Sequence, residues 1–265
     1  IEILAVGFLS RNEQFKIKYD GWSILLTIVL FFFCLGSYAL SYSGVLPQIR
    51  EALSLTEHSC AIPDQETNLA GIKKVVISSR EGDLELHSIS GEKLTVLGQA
   101  TIRASSAEAA AELARQARAE IKTVGDTLFI QTNRVPERNN IFMSNYSKSA
   151  RAIFVPAGIS LEVIRPHTGS NTTLSLDSLA ASWSVDSGGP VRINLAPDLD
   201  LTLSGSVPWS RENLTGNADW EYTSEEDPDN GPHQKASGKI KLGEGRWPLV
   251  VFSEQSIEAN LRPVQ

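Results

Sequence analysis

The residues that most often bind metals are few in this sequence, and they are not spaced for a metal site. The four histidines are His58, His87, His167 and His233. None of them belongs to a His-x-x-x-His pair or to the Cys/His spacings that zinc sites use. The spacing therefore predicts no zinc site.

An acidic stretch in the last quarter of the chain comes nearest to a calcium loop. Asp227, Asp229 and Asn230 stand before Gly231. In an EF-hand loop the glycine occupies the sixth position and a glutamate the twelfth. Here the glycine is misplaced and the distal glutamate is absent. A solvated acidic loop is favoured, and a calcium site is the alternative.

Motifs for enzymatic catalysis are also missing. The sequence contains no Gly-x-Ser-x-Gly elbow, no glycine-rich phosphate loop and no dinucleotide fingerprint. Asp177 and Asp186 flank a possible strand edge, where aspartates are usually solvated. A glycosidase needs two carboxylates that face one cleft. We predict a protein that is not an enzyme and needs no cofactor, with a groove-based hydrolase as the alternative.

Charge and cysteine content narrow the partners further. The 265 residues carry a net charge of −7, with a pI near 5.2. Nucleic-acid binding calls for basic patches, so no nucleic acid is expected. Cys34 and Cys60 are too few for a disulfide framework, and no Cys-x-x-Cys-His motif for covalent haem is present.

One long apolar stretch organises the chain. Residues 24–45 contain no charged side chain, with Trp22 at one edge and Tyr38 and Tyr42 near the other. About 20 apolar residues span a bilayer, and aromatic rings favour its interfaces. The stretch predicts a single transmembrane helix over 22–46, after an N-terminal segment over 1–21. A soluble core helix and a cleaved signal peptide are the alternatives.

Basic residues predict the orientation of this helix. Arg11, Lys16 and Lys18 precede the stretch, whereas only Arg50 follows it closely. The excess of Lys and Arg belongs on the cytoplasmic side. The N-terminus is therefore expected in the cytoplasm, and the residues after about 46 outside it.

One side of the predicted helix carries small residues. Thr27, Cys34, Ser37, Ser41 and Gly44 fall at offsets of 0, 7, 10, 14 and 17, which places them on one face. Small residues let a second helix approach closely in lipid. We predict that this face binds an integral membrane protein partner, and a chance distribution of small residues is the alternative.

The remainder of the chain is expected to be mainly β. A polar connector is predicted over 47–71, and a β-domain over 72–265 in which apolar and polar residues alternate. One inserted helix is predicted over 107–118, with a capping box formed by Ser105 and Glu108.

Two loops of the β-domain have distinct compositions. Gly125-Asp126 predicts a two-residue hairpin turn. The loop over 134–148 contains the apolar residues Ile141, Phe142, Met143 and Tyr146, which we predict to contact a partner. An ordinary long hairpin loop is the alternative, because loops need no function.

Strand-and-turn units then recur. Thr168-Gly169, Ser187-Gly188 and Ser204-Gly205 are 19 and 17 residues apart and are predicted to be turns. Near-regular spacing of this kind is typical of a β-solenoid or of stacked sheets. The region over 209–238 is polar. Near this end of the chain are Trp209, Trp220, Tyr222 and Trp247, which are expected to cap the end of the stack, with a partner or sugar surface as the alternative.

Three segments within 72–207 carry a family resemblance: Glu81-Gly82-Asp83-Leu84-Glu85-Leu86, the Ala-rich helix before Gly125-Asp126-Thr127-Leu128, and Phe154-Val155-Pro156-Ala157-Gly158-Ile159-Ser160-Leu161. In these segments the stretch resembles the bacterial "putative adhesin" domain family of unknown function. The resemblance implies a short β-solenoid behind an N-terminal membrane segment in the bacterial envelope, and no catalytic residues. The long loop over 134–148 and the acidic tail region depart from the family pattern.

Together these patterns predict a non-enzymatic protein anchored in the bacterial inner membrane, cytoplasmic or intracytoplasmic, with its β-domain in the periplasm. It would be an accessory or stabilising subunit of a larger membrane complex, with photosynthetic or respiratory assemblies as examples. A stand-alone cell-surface adhesin or envelope-stress protein is the second hypothesis, and a β-helix hydrolase the third.

Overall fold

The computed structural model describes residues 21–42, 54–80, 82–133, 135, 139–140, 143–144, 148–166, 169–208, 210–225 and 235–263. The chain forms two compact units. One comprises Ile1–Ser54 with Asn140–Phe142, and the other comprises Leu55–Asn139 with Met143–Gln265. The fold is mainly β, with one apolar helix near the N-terminus and one helix inserted among the strands.

Helix α1 (Gly21–Tyr42) is the described element of the first unit. Its side chains are apolar on every side, and those described are all exposed. The hydroxyl of Thr27 donates to the carbonyl of Ser23 at 2.8 Å, so this polar group is satisfied inside the helix. The predicted helix is confirmed over these residues.

The second unit contains helix α2 (Ala107–Gln116) and nineteen strands in the described residues. The strands are β1 (Thr56–Asn68), β2 (Lys74–Ser79), β3 (Asp83–Ile89), β4 (Lys93–Ala104), β5 (Glu120–Val124), β6 (Thr127–Thr132), β7 (Asn139–Asn140), β8 (Met143–Ser144), β9 (Lys148–Pro156), β10 (Ser160–Arg165), β11 (Thr172–Leu176), β12 (Trp183–Ser187), β13 (Val191–Leu195), β14 (Leu201–Pro208), β15 (Leu214–Thr215), β16 (Glu221–Glu225), β17 (Lys235–Leu242), β18 (Trp247–Ser253) and β19 (Ile257–Leu261).

Two large sheets contain most of these strands. The first sheet has the order β1-β4-β9-β3-β11-β13-β19-β15, and the second has the order β16-β17-β14-β18-β12-β10-β2-β6-β5. From β9 to β14 the chain alternates between the two sheets. Neighbours are parallel from β9 to β15 in the first sheet and from β6 to β14 in the second, and antiparallel at the margins.

One continuous hydrophobic core joins both sheets. Alternate residues of each strand point inward, such as Val75 and Ile77 on β2 of the second sheet and Leu84 and Leu86 on β3 of the first. The alternation that predicted half-buried strands is confirmed. Trp183 is the largest fully buried side chain, and its indole N–H donates to the carbonyl of Ile159 at 3.1 Å.

Polar side chains close this core where the strands of the second sheet end. Thr132 donates to the Ser79 hydroxyl at 3.0 Å, and Ser253 donates to the carbonyl of Gly189 at 2.9 Å. Ser187 accepts from the N–H of Gly189 at 3.3 Å. These buried hydroxyls satisfy each other and the turn backbone, as buried polar groups must.

Arg165 holds the equivalent position at the end of β10. It is almost fully buried, and its guanidinium donates to the carbonyl of Asn171 at 2.7 Å, to the carbonyl of Gly82 and to the hydroxyl of Thr172. Burial lowers the pKa of Arg165 to about 10, while the charge of Asp83 opposes this shift. The side chain thus joins two turns that are distant in the sequence.

Strand β1 corrects the predicted connector. Residues 56–68 form an antiparallel pair with β4, interrupted by a bulge between Ile62 and Gln65. The β unit therefore begins at Leu55, and the prediction of a connector over 47–71 is wrong for these residues. Most side chains of β1 are exposed, because only its inner face meets α2, and this masked the strand pattern.

Helix α2 covers the inner face of β1 and β4. Ala110, Ala114 and Ala117 pack with Ile62 and Ile102 in a second, smaller cluster, which confirms that the helix lies on a sheet. The helix begins at Ala107 as predicted and ends at Gln116, two residues before the predicted end. Its N-cap is Ser106 and not Ser105, and the Ser106 side chain accepts from the N–H of Ala109.

A buried arginine fixes the end of α2. Arg151 on β9 donates to the carbonyl of Ala117 and, at 3.2 Å, to the carbonyl of Asn133. Burial lowers its pKa to about 10. A cation at a helix C-terminus is favourable, because the last carbonyls carry partial negative charge.

Three predicted turns have different outcomes. The hairpin β5–β6 is confirmed, and Gly125 has a φ of 63° in its turn. Ser187 is the last residue of β12 and Gly188 follows it, as expected for a turn, whereas Ser204-Gly205 lies inside β14 and is not a turn. Gly205 is needed for a different reason, which is the close approach of a tryptophan ring.

Trp220 closes the core beside β14 and β17. Gly205 on β14 pairs with Gly238 on β17, and the ring of Trp220 lies against both glycines. Its indole N–H donates to the carbonyl of Thr215 at 3.1 Å. Trp220 and Trp247 both pack against the core. Trp209 lies outside the described residues, and the capping of a solenoid end stays a prediction.

Candidate partner-binding surfaces

Helix α1 presents the predicted small-residue face. Thr27, Cys34, Ser37 and Ser41 all lie on α1 and are exposed, and helical geometry places them on one side. Gly44 lies outside the described residues. The partner helix expected on this side stays a prediction.

The same helix is long and apolar enough to cross a bilayer. Residues Gly21–Ala39 have a mean hydropathy of 2.0 and are exposed throughout, and no other helix in the described part of the chain has this length and composition. A signal sequence near an N-terminus has the same properties. The helix is thus a candidate span, and its topology stays a prediction.

The predicted contact loop is mostly outside the described residues. Met143 lies on the short strand β8. Ile141, Phe142 and Tyr146 fall in the part of the loop that the structure does not describe, as does the acidic stretch over 227–231. The contact role of this loop stays a prediction.

The titratable residues considered for chemistry are dispersed. His58 is 2.8 Å from the hydroxyl of Thr56 on β1, whereas His87 on β3 stacks on Phe154 with a ring-centre distance of 4.6 Å. His167 and His233 lie outside the described residues. Across the described ranges, no group of three or more His, Cys, Asp or Glu side chains is arranged to hold a metal ion.

The two aspartates considered for hydrolysis do not share a cleft. Asp177 follows β11 of the first sheet and pairs with Arg262. Asp186 is exposed on β12 of the second sheet. A glycosidase needs its two carboxyl groups about 5–10 Å apart across one site, and these two belong to different sheets.

The outward side of the second sheet carries the most distinctive surface, which we call the outer face. Phe129 on β6, Ile164 on β10 and Val250 on β18 point outward and are 43%, 41% and 49% exposed. Half-buried Val76 and Phe252 lie in the same rows of outward side chains. Since neighbouring strands are about 4.8 Å apart, the outer face measures about 19 Å from β6 to β18. Along this row Glu162 and Ser184 stand between Val76 and Val250.

A groove of about 420 Å³ lies in the outer face. Pro248 and Val250 form an apolar wall, and Ser160, Ser182 and Ser184 contribute hydroxyls. The Lys74 ammonium stands 2.5 Å from the Glu162 carboxylate beside them. The groove thus offers aliphatic surface together with hydrogen-bond donors and acceptors and no net charge.

The outward side of the first sheet is mostly polar and bonded within itself, although Leu97 and Phe154 are half-buried on it. Arg192 donates to Glu258 at 2.9 Å, and Asn260 donates to the same carboxylate at 2.9 Å. These two hydrogen bonds lower the pKa of Glu258, and the charge of Arg192 adds to the shift. Thr173 and Ser175 on β11 fill the middle of this side. The two sheets therefore expose surfaces of different chemistry.

Sequence reasoning missed the outer face, although a signal was present. In a strand with one solvent-exposed face, apolar and polar residues alternate. Leu128-Phe129-Ile130 and Leu249-Val250-Val251-Phe252 are instead uninterrupted apolar runs. Such runs indicate strands with apolar residues on both faces. Clustered exposed apolar residues commonly mark interaction sites.

Comparisons with known proteins do not assign the chain to a family. No protein-family model and no curated protein matches the chain. Among solved structures, the chain is similar to a "putative cell adhesion protein" from Clostridium sporogenes, at 10% identity over 78% of this chain and 98% of that chain. The TM-score is 0.37, which is too low to assign a shared fold. Membership of the adhesin-like family therefore stays a proposal.

Proposed function

We propose that the protein is a non-enzymatic, single-pass membrane-anchored binding protein, and that it serves as an accessory or stabilising subunit of a larger membrane complex. In this proposal α1 spans the bacterial inner membrane with its N-terminus in the cytoplasm. The β unit, a short solenoid in which the chain alternates between two sheets, lies in the periplasm and presents its outer face to a protein partner.

The observation that carries the proposal is the apolar surface on both units. Helix α1 exposes apolar side chains on all sides, which suits lipid and not water. The outer face exposes Phe129, Ile164 and Val250 in a protein whose other sheet shows a mostly polar surface. Protein–protein interfaces combine apolar and aromatic residues with hydrogen-bonding groups, and the outer face offers both.

A matched pair of lysine substitutions tests this role. Ser184 on β12 lines the groove at the middle of the outer face, and Ser175 on β11 points outward from the first sheet. The full chain is purified in a mild detergent, and co-purified proteins are quantified by mass spectrometry. We expect stoichiometric partners for the unmodified protein.

Ser184→Lys should reduce partner recovery about tenfold or more, because its long side chain occupies the groove and its ammonium is costly to desolvate at an interface centre. Ser175→Lys should leave recovery unchanged. Recovery of the unmodified protein as a free monomer, or equal effects of both substitutions, would contradict the proposal.

The polar half of the groove favours a second candidate, a stand-alone cell-surface adhesin. Three serine hydroxyls and the Lys74–Glu162 pair suit a ligand rich in hydroxyl groups, such as a glycan. This candidate predicts that the β unit from Leu55 onward binds glycans or cell surfaces without other proteins. Binding that persists in Ser184→Lys would place any glycan site elsewhere.

A further inference from the structure

The last two strands of the chain lie in the middle of the sheets and not at an edge. In the second sheet β18 lies between β12 and β14, with Val251 in register with both Val185 and Gly205. In the first sheet β19 lies between β13 and β15. Strands β14 and β15 precede this pair in sequence, yet in the sheets they join β12 and β13 only through it.

The position occupied by β18 and β19 is a slot with an apolar lining. Leu249, Val251, Ile257 and Ala259 point inward from the two strands and are fully buried. Without them, a row of the core and four strand pairings would be open to water. The slot therefore fits strands β18 and β19, and these strands can come from the same chain or from a second copy of it.

A short crossover leads into the slot. Strand β17 is antiparallel to β14 on one side, and β18 is parallel to β14 on the other, so residues 243–246 cross the start of β14. Asp200 holds this crossover through two hydrogen bonds. Its carboxylate accepts from the N–H of Arg246 at 2.9 Å, and its carbonyl accepts from the N–H of Trp247 at 3.2 Å.

The crossover is closed only because two glycines permit it. Gly243 and Gly245 have φ values of 60° and 75°, which L-residues with side chains rarely adopt. A Cβ on Gly245 would come 2.6 Å from the hydroxyl oxygen of Thr202. Tight hinges of this kind favour exchange of the segment beyond them when they open.

We propose that β18 and β19 form an exchangeable segment, and that two copies of this chain associate by each placing this segment in the other's slot. The monomer fills its slot with its own strands. In the dimer the crossover is extended, and every buried contact of the slot is made by the partner copy. The interface thus requires no surface beyond those already buried in the monomer.

The test combines a hinge variant with a cross-link across the slot. All proteins are full chains in detergent, with Cys34→Ser and Cys60→Ser to remove native thiols. Ser184 and Val250 are outward neighbours in register on β12 and β18. One chain carries Ser184→Cys and the other carries Val250→Cys, so a disulfide between chains forms only when β18 of one enters the slot of the other.

Gly245→Ala should raise the dimer fraction about tenfold or more, because the closed crossover then holds an alanine at positive φ. In an equal mixture refolded together, about half of the dimers should become covalent on oxidation, since only mixed pairs carry both cysteines. Gly125→Ala is the control, because Gly125 also has positive φ, at 63°, with nothing within 4 Å of an added Cβ. It should remain monomeric.

The proposal is overturned if Gly245→Ala unfolds cooperatively as a monomer and gives no covalent dimer. It is also overturned if Gly125→Ala gives as much covalent dimer as Gly245→Ala. Should Gly245→Ala fail to fold, the cross-linking test is carried out on the two cysteine variants that keep Gly245. Chains refolded together should give covalent dimer that rises with protein concentration, while chains mixed after folding should give none. Absence of covalent dimer at every concentration would also overturn it.

Discussion

An alanine at Gly205 probes how Trp220 seals the end of the core. A Cβ added there would stand 2.7 Å from Cη2 and 2.9 Å from Cζ3 of the Trp220 ring. Nonbonded carbons prefer separations of about 3.5–4.0 Å, so the ring must move by roughly 1 Å. Overpacking of this kind costs about 1–3 kcal/mol.

The effect should depend on Trp220. In Trp220→Ala the ring is gone, and Gly205→Ala should then be neutral or stabilising by up to about 1 kcal/mol, because glycine weakens a strand. The expected coupling free energy between the two positions is therefore about 1–4 kcal/mol. A coupling of this size would locate the strain at the contact between Gly205 and the ring.

The assay is urea unfolding of the full chain in a mild detergent, followed by circular dichroism of the β unit. Four proteins make up the double-mutant cycle. Gly158→Ala is the control, because an added Cβ there meets nothing within 4 Å, and its cost should stay within about 0.5 kcal/mol. If Gly205→Ala costs the same with and without Trp220, the contact does not carry the stability assigned to it.

Three further outcomes are expected. Arg165→Met should lower the free energy of unfolding by about 2–4 kcal/mol, because it leaves buried carbonyls without a donor. Arg192→Met, at an exposed position, should change the free energy of unfolding by less than about 0.5 kcal/mol. Equal effects of the two substitutions in urea unfolding would refute the role of Arg165. The backbone N–H of Arg246, then its charge, lowers the pKa of Asp200, so Asp200 stabilises the fold above about pH 4 and this contribution is lost as the pH falls through its lowered pKa. The thermal midpoint of Asp200→Asn should therefore approach that of the unmodified protein as the pH falls through this lowered pKa, and a difference that does not change with pH would contradict the contribution of Asp200. A fragment over 55–265 should unfold cooperatively, whereas one over 72–265 lacks β1 and exposes the cluster beneath α2; equal thermal midpoints would show that β1 is dispensable.

Strand β1 shows why part of the fold could not be predicted. Its sequence is polar, and only Ile62 and Gln65 are buried among its thirteen residues. It becomes a strand because β4 offers a partner and α2 covers its inner face. Neither of these contacts is encoded within the segment, so a local pattern indicated a connector.

The candidate binding surface was predictable only in outline. Apolar runs through Phe129 and Val250 indicate strands with two apolar faces, but they do not say which residues meet. Register between strands distant in sequence brings Phe129, Ile164 and Val250 to one side and opens the groove beside Lys74. The small-residue face of α1, by contrast, follows from helical spacing alone.

Local chemistry in the sequence by itself determined the apolar helix α1, the capped and amphipathic helix α2, the glycine turn of β5–β6 and the alternation of the strands. Each of these depends on residues within a few positions of one another, through side-chain type and backbone preference. Only the tertiary structure decided that β18 lies between β12 and β14, that Gly205 receives a tryptophan ring, and that Arg151 and Arg165 are buried. These features depend on which distant strands pair, and pairing is settled by the burial of apolar faces across the whole unit.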